Sequence, residues 1–316
     1  MIHQDHSPRH VSWLGIDVSK DTFAVYASLN GTIQTIANRA TNIRALLGRY
    51  PEAAIVLEAT GGYEAVVVAI ACELGHPLYR VNPRRVRAFM ECRGIYAKTD
   101  NIDARALADY GTTHTVDLRP FVLPSADNKA LAQLTRRRSD LIAMRTQEKN
   151  RLQAPDNDGL RKSIKTVLAC LEKQIEALEK QINGLVTKSS ELTKKVDVMT
   201  AVKSVGQTTA TMLLAALPEL GQVTGKQITA LAGLAPRPRD SGKKKGYRRT
   251  GCGRKEARRA LYMAALVASR HNPTFTEFYG RLKKNGKTSL QALIAVARKL
   301  LVILNAKLRD SALATP

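Results

Sequence analysis

The sequence predicts an α/β domain followed by an all-α remainder. Short β-type segments alternate with helical patterns in the first 120 residues, whereas leucine and isoleucine recur at helical spacing after them. Charge divides at the same point, because residues 1–120 hold 13 basic and 12 acidic side chains while residues 121–316 hold 37 and 15. A chain of 316 residues is long enough for several domains. We predict domains over residues 1–122, 123–200 and 201–316.

The first domain opens with three short strands, and Asn30-Gly31 predicts a two-residue hairpin between the second and the third. A polar helix, a buried apolar strand at 53–57, a second helix, another short strand and a helix begun by Pro83 follow. The order β-β-β-α-β-α-β-α predicts a mixed sheet covered by helices. It is also the order of ribonuclease H-like domains.

The middle segment predicts a coiled-coil helical hairpin. One helix runs to the turn at Pro155, and apolar residues then follow heptad spacing from Ile164 to Met199, with Ser189 as the one polar position in the seam. Such a seam favours either an intramolecular arm or a second chain, and we expect a homo-oligomer. After residue 201, a glycine turn at 202–210 resembles a helix-hairpin-helix, and four further helices predict an all-helical third domain.

Cysteine spacing and the N-terminal sequence argue against several protein classes. The four cysteines lie far apart without a Cys-x-x-Cys pair, which predicts reduced thiols and neither a zinc site nor a disulfide framework. The first residues lack a signal-peptide pattern, and no apolar run reaches the ~18 residues of a membrane span. We therefore expect a soluble cytoplasmic protein with no membrane partner.

The net charge predicts a polyanionic partner. The chain carries a formal charge of +23 with a sequence pI near 10.1. The first 120 residues are close to neutral, so the excess lies in the rest of the chain. Clustered Lys and Arg gain most affinity by neutralising phosphates. A neutral domain joined to nucleic-acid-binding ones is the resulting expectation.

Four carboxylates of the neutral domain form a candidate metal site. Asp17 ends the first strand and Glu58 ends the buried strand, while Asp100 and Asp103 are three residues apart at the start of a helix. Individually they fit strand-end and helix-start roles, but together they can hold Mg²⁺, with Mn²⁺ as a substitute. Phosphoryl transfer on a nucleic-acid backbone uses such carboxylate-bound ions. We predict that these four residues are both metal ligands and catalytic.

Ser241 is the candidate nucleophile. It precedes Gly242 within the densest positive charge of the chain, where a backbone phosphate would be attracted. Tyr247 is a competing nucleophile that we rank lower, because it lies among basic residues. The same region supplies the predicted nucleic-acid contacts, which are Arg237, Arg239, Lys243, Lys244, Lys245, Arg248, Arg249, Arg254, Lys255, Arg258 and Arg259.

Several motifs resemble the DEDD transposases of bacterial insertion sequences, the IS110 family, which also includes pilin gene-inverting recombinases. In the first half they are Gly-Ile-Asp at 15–17, Glu-Ala-Thr-Gly at 58–61 and Lys-Thr-Asp-x-x-Asp-Ala-Arg at 98–105. In the second half they are residues 205–210, Leu-Ala-Gly-Leu-Ala-Pro-Arg at 231–237 with Ser-Gly after it, and Arg-Arg-Ala-Leu-Tyr-Met from Arg258. The resemblance covers almost the whole chain.

The resemblance implies a RuvC-like, Mg²⁺-binding N-terminal domain, a coiled-coil arm and a C-terminal transposase domain whose Ser241 becomes joined to DNA. It also implies a composite active site shared between subunits of a dimer or tetramer, donor and target DNA as substrates, and a noncoding bridge RNA that pairs with both. The expected location is then the bacterial cytoplasm, in association with the nucleoid. Two alternatives remain: a Mg²⁺-dependent endonuclease of the Holliday-junction type that uses water as nucleophile, and an RNA chaperone or architectural protein.

Overall fold

The computed structural model describes residues 12–238, 240–242, 246 and 248–313. The chain forms two compact units, which meet in sequence between Leu123 and Pro124. The division into three domains at 122 and 200 stays a prediction. Arg239, Lys243, Lys244, Lys245 and Tyr247, which the sequence singled out, lie outside the described residues.

The first unit contains a five-stranded mixed sheet, as predicted. Its strands are β1 (Trp13–Val18), β2 (Thr22–Ala27), β3 (Thr32–Ala37), β4 (Ala54–Glu58) and β5 (Leu78–Val81). Their order across the sheet is β3-β2-β1-β4-β5. The first three strands are antiparallel, whereas β4 pairs in parallel with β1 and with β5. The carboxyl ends of β1 and β4 therefore lie side by side.

Helices cover both faces of this sheet. They are α1 (Ala40–Gly48), α2 (Ala65–Glu73), α3 (Pro83–Cys92) and α4 (Asp100–Thr113). Alternate residues of each strand face opposite sides, so Leu14 and Ile16 of β1 pack with α1 and α2. Trp13 packs with α3 and α4 on the other side. The result is a three-layer α/β unit.

The predicted two-residue hairpin is wrong in length. Strand β2 ends at Ala27, which pairs with Thr32, so four residues form the turn. The Asn30 side-chain oxygen accepts from the Thr32 amide at 3.1 Å, and Gly31 takes a positive φ of 70°. Leu29 is exposed because it lies in this turn and not in the strand.

The second unit is helical throughout its named elements. They are α5 (Ala126–Gln153), α6 (Arg161–Lys188), α7 (Ser190–Thr200), α8 (Gln207–Ala216), α9 (Gly225–Leu231), α10 (Lys255–His271), α11 (Pro273–Lys284) and α12 (Ser289–Leu313). Helices α5 and α6 form the predicted hairpin, with Leu141, Leu171 and Ile175 buried between them. A short 3₁₀ segment at Pro155–Leu160 joins the two helices.

The helix predicted to continue to Met199 breaks at Ser189. That residue is extended, with φ −98° and ψ 109°, and separates α6 from α7. The Thr193 hydroxyl donates to the Val186 carbonyl at 2.7 Å, which satisfies an acceptor at the end of α6. Beyond the break, Leu192 and Met199 are fully buried in the helical core with α8, α10 and α12. The apolar heptad positions after Ser189 therefore serve the core of this unit.

Among the described residues, α12 is the one helix long and apolar enough to cross a membrane. Its buried residues, from Ala292 to Leu308, include Leu300, Leu301 and Leu304 at the centre of the helical core. Asn305 is also buried, and its side chain bonds the Gly221 amide and the Val223 carbonyl. The packing of α12 accounts for its apolar character.

Candidate active site

Asp17 and Glu58 lie beside each other at the end of the parallel strand pair. The last registered pair of β1 and β4 is Ile16 with Leu57, and the two carboxylates are the next residues on their strands. Both side chains are half-buried. Parallel pairing thus brings the two strand-end carboxylates to one edge of the sheet.

Helix α4 approaches the same edge because Gly15 has no side chain. A Cβ at this position would lie 1.9 Å from the Ala104 carbonyl oxygen and 2.5 Å from the Ala108 amide nitrogen. The backbone of α4 therefore lies directly against β1, two residues before Asp17. Asp100 and Asp103 occupy the first turn of α4, which begins with Thr99 accepting from the Ile102 amide. Carboxylates in a first turn interact favourably with the helix dipole.

The loop after Glu58 is held by a second, buried glutamate. Glu64 is 6% exposed, and its Oε2 accepts from the Thr60 amide at 3.1 Å and the Gly62 amide at 2.9 Å. The Arg80 guanidinium lies 3.7 Å from its Oε1. The loop needs this anchoring because Gly61 and Gly62 both adopt positive φ. Glu64 therefore holds the backbone of the loop that follows Glu58, a predicted metal ligand.

Burial raises the pKa of three of these carboxylates, and the negative charges of their neighbours add to the effect. Burial, then the charges of Asp103 and Asp100, raise the pKa of Asp17 to about 6. Burial and the charges of Asp17 and Asp103 also raise the pKa of Glu58, and burial raises that of Asp103. Lys98 acts in the opposite direction on all three residues. These groups form one electrostatically coupled cluster with excess negative charge.

The donor chemistry of this cluster fits a divalent cation. Carboxylate oxygens are the ligands that Mg²⁺ prefers, and a cation would relieve the repulsion that raises the pKa values. Across the ranges that the structure describes, however, no three His, Cys, Asp or Glu side chains are grouped closely enough to hold a metal ion as they stand. The cluster therefore has the donors and the charge that a divalent cation needs, but its side chains lie too far apart to coordinate one as they stand.

Ser241 lies in the second unit, on a hairpin between α9 and α10. It is exposed, and Gly242 after it takes a left-handed φ of 55° with open space around its Cα. Arg237 and Arg249 pair across the hairpin, with the Arg237 amide 2.9 Å from the Arg249 carbonyl. The serine is thus exposed to solvent on a loop whose two sides are joined by this bridge between arginines.

The basic residues predicted to contact nucleic acid fall into two groups, one exposed and one partly buried. Arg237, Arg248, Arg249, Lys255 and Arg259 are exposed, as phosphate contacts require. Arg254 and Arg258 are partly buried: the Arg254 guanidinium bonds Glu219, and an Arg258 nitrogen lies 3.5 Å from the Ala232 carbonyl.

The structure places the four predicted carboxylates in one electrostatically interacting group in the first unit and Ser241 in the second. Sequence reasoning missed Lys98, Glu64 and Glu219. Lys98 is the first residue of one quoted motif and Glu64 follows another by three residues, so their positions were a usable signal. Glu219 had none, because its partner Arg254 is 35 residues away.

Two family models match this chain, one in each half of the sequence. A family model described as a transposase, of the DEDD type of IS110, matches residues 14–155. A second, described as "Transposase IS116/IS110/IS902 family", matches residues 196–280. The first contains all four carboxylates and the second contains Ser241.

Relatives include the pilin gene-inverting proteins of Moraxella bovis and Moraxella lacunata. Each is 29% identical over 325 aligned positions, which cover 95% of this chain and 96% of the relative. The insertion element IS110 uncharacterized 43.6 kDa protein of Streptomyces coelicolor is 32% identical over 150 residues, 47% of this chain and 36% of that protein. With both family models matched in order along the sequence, the chain belongs to the IS110 family of insertion-sequence transposases and is a DNA transposase/recombinase enzyme.

Proposed function

We propose that this enzyme exchanges DNA strands through a covalent bond between the Ser241 Oγ and a backbone phosphate, with Mg²⁺ held by Asp17, Glu58, Asp100 and Asp103. The observation that carries the proposal is the exposed serine on a hairpin whose two sides are joined by the bridge between Arg237 and Arg249. These arginines can attract a phosphodiester to the hairpin that carries the Oγ. The carboxylate cluster would supply the other requirement of the reaction, a bound Mg²⁺.

The reaction conserves the number of phosphodiester bonds. The Ser241 Oγ attacks phosphorus, the bond from phosphorus to one deoxyribose oxygen breaks, and that oxygen leaves as a hydroxyl while a base takes the serine proton. A hydroxyl of another strand then attacks the phosphoserine and releases the serine. A bound Mg²⁺ would polarise the phosphate and favour the ionised oxygens. No external energy source is needed, because each step exchanges one phosphate ester for another.

The carboxylates and the serine belong to different units of the chain, and the resemblance to the family implies an active site shared between subunits. We therefore propose a homo-oligomer, a dimer or tetramer, acting on donor and target DNA. The names of the two Moraxella relatives favour exchange between defined sites.

The basic surplus also supports a noncoding bridge RNA as a partner. Residues 121–316 carry 37 basic and 15 acidic side chains, which suits backbone contact with more than one nucleic acid. Under this proposal base pairing selects the DNA sequence, and the protein contacts backbone and shape.

The test is to detect the covalent intermediate. The protein is expressed with its intact element and flanking DNA, the cells are lysed under denaturing conditions, and the peptide containing Ser241 is examined by mass spectrometry for attached nucleotides. Ser241→Ala and Asp17→Ala are the matched controls. An adduct that requires both residues supports the proposal. Cleaved DNA that still forms in Ser241→Ala, with no adduct in the wild type, would instead identify a hydrolytic nuclease that uses water.

A further inference from the structure

The two ends of the Ser241 hairpin are locked together by a glycine pair. Gly233 follows α9 and Gly253 precedes α10. A Cβ on Gly253 would lie 2.1 Å from the Gly233 nitrogen, and one on Gly233 would lie 2.4 Å from a guanidinium nitrogen of Arg258. Backbone thus packs on backbone where the hairpin leaves and rejoins the helical core.

Arg254, next to this glycine pair, fastens the hairpin to the core from three directions. Its amide donates to the Leu231 carbonyl at 2.9 Å. Its two terminal nitrogens donate to the two Glu219 oxygens at 2.5 and 2.6 Å, and one of them also reaches the Ala216 carbonyl at the end of α8 at 3.0 Å. A two-pronged arginine–carboxylate pair fixes orientation as well as distance.

Asp240 closes the other end of the hairpin. One of its oxygens accepts from the Gly246 amide at 3.0 Å, and the other accepts from the Arg248 guanidinium at 3.0 Å. Ser241 is the next residue. The serine is therefore connected to the helical core through a continuous series: Glu219, Arg254, the glycine pair and the cross-bonded hairpin.

We propose that Arg254 and Glu219 are a positioning pair that orients the Ser241 hairpin, and that Arg254 does not contact DNA phosphates. This inference rests on the proposed role of Ser241. Both terminal nitrogens of Arg254 are committed to protein acceptors, and the Glu219 carboxylate offsets its charge. The neighbouring exposed Lys255 is left free of such a bidentate partner and is the phosphate contact at this end of α10.

The experiment compares full-length Glu219→Gln, Arg254→Gln, Arg254→Lys and Lys255→Gln proteins. Affinity for a duplex carrying the element junction and the rate of Ser241 adduct formation at saturating DNA are measured separately. We expect the Glu219 and Arg254 variants to lose about 10- to 100-fold in rate with Kd within about twofold of wild type. Their double variant should lose no more than either single one. Lys255→Gln should weaken binding.

Arg254→Lys separates the two roles of the arginine. A lysine keeps the positive charge but cannot make the two-pronged contact, so a positioning role predicts loss of rate and a phosphate contact predicts retention. An Arg254→Gln protein with weakened DNA binding and an unchanged rate at saturation would overturn the inference. So would a Glu219→Gln protein with wild-type rate.

Hydrogen exchange of the free protein provides a readout that does not depend on the chemistry. The Arg237 and Gly246 amides, which close the hairpin, should exchange faster in the Glu219→Gln and Arg254→Lys variants, both of which retain polar side chains of similar size. Unchanged exchange would refute the positioning pair. Absence of any wild-type adduct would refute the nucleophile role of Ser241 instead, and the exchange rates would still decide the inference about Arg254.

Discussion

Asp17 is a half-buried carboxylate among other carboxylates, and its ionisation therefore costs stability. Its pKa is about 6 in the folded protein against 3.8 for an ordinary aspartate. Between these pH values the folded state retains a proton that the unfolded state has released, so stability falls as pH rises from about 4 to 6 and stays lower above that. We expect Asp17→Asn to melt at a higher temperature than wild type at pH 7.5 in EDTA.

The same variant should lose this advantage as pH falls from 6 to 4, because wild-type Asp17 is then protonated. If the proposed Mg²⁺ site is correct, adding Mg²⁺ at pH 7.5 should raise the melting temperature of wild type more than that of Asp17→Asn. Asp21→Asn, at an exposed position before β2, is the control. If Asp17→Asn melts below wild type at pH 7.5 in EDTA, the ionised Asp17 carboxylate does not destabilise the folded protein.

Glu64 should matter for activity although it is outside the predicted ligand set. Glu64→Gln keeps the shape but replaces one acceptor oxygen with a donor, so one of the two amide bonds from Thr60 and Gly62 is weakened or lost. With the loop after Glu58 less well fixed, we expect a loss of about 10- to 100-fold in DNA strand-exchange rate.

The control for Glu64 is Glu73→Gln, which removes the charge of an exposed glutamate paired with Arg44 on the surface of the same unit. An exposed ion pair contributes little to stability, because solvent screens its charges. Glu73→Gln should therefore keep wild-type activity. Equal activity of the two variants would show that the buried carboxylate does not position the site.

At the scale of secondary structure, the contact between β1 and α4 positions the candidate site. This contact requires a glycine at position 15. In Gly15→Ala the new methyl group would collide with the Ala104 carbonyl, so the helix must move away from the strand. We expect about 3 kcal/mol of destabilisation, at the upper end of overpacking effects. Urea unfolding of the full-length protein measures it.

Gly48→Ala is the matched glycine control for this contact. Gly48 ends α1, and a Cβ there meets nothing within 4 Å. Replacing it should be neutral or stabilise by up to about 1 kcal/mol, since alanine restricts the unfolded chain. Similar losses from the two substitutions would mean that the close approach of α4 is not what Gly15 permits.

The elements were predictable where local pattern and packing agree. Strands β1 and β4 and helices α10 to α12 follow from apolar spacing with glycine and proline at their ends. The break at Ser189 was not predictable, because the heptad spacing continues across it, and Ile182 and Val186 before the break already pack in the same helical core as Leu192. Sequence periodicity identifies a buried face but does not tell which surface covers it.

The candidate site was likewise predictable only in part. The four carboxylates were predictable because they follow strand ends and a helix start, which a known sheet order brings together. The roles of Glu64 and Arg254 depend on partners fixed only in three dimensions, such as the main-chain amides of one loop and a carboxylate 35 residues away. The basic residues around Ser241 read as equivalent in the sequence, whereas burial separates Arg254 from Lys255.

The molecule as a whole separates its charges between its two units. The first carries the coupled carboxylates in a nearly neutral background, and the second carries almost the entire positive excess. Under the proposed function, long-range attraction of nucleic acid and metal-dependent chemistry would belong to different parts of one chain.

Nucleic-acid affinity should accordingly depend steeply on salt, through residues of the second unit. Each phosphate contact on duplex DNA contributes about 0.9 to the slope of log K against log salt. We expect Lys255→Gln with Arg259→Gln, both exposed on α10, to reduce that slope by up to about 1.8 in fluorescence anisotropy titrations. Arg44→Gln with Arg49→Gln, exposed on the first unit, removes the same charge and should leave the slope unchanged. Equal reductions from both pairs would mean that net charge alone, and not the position of the α10 residues, governs binding.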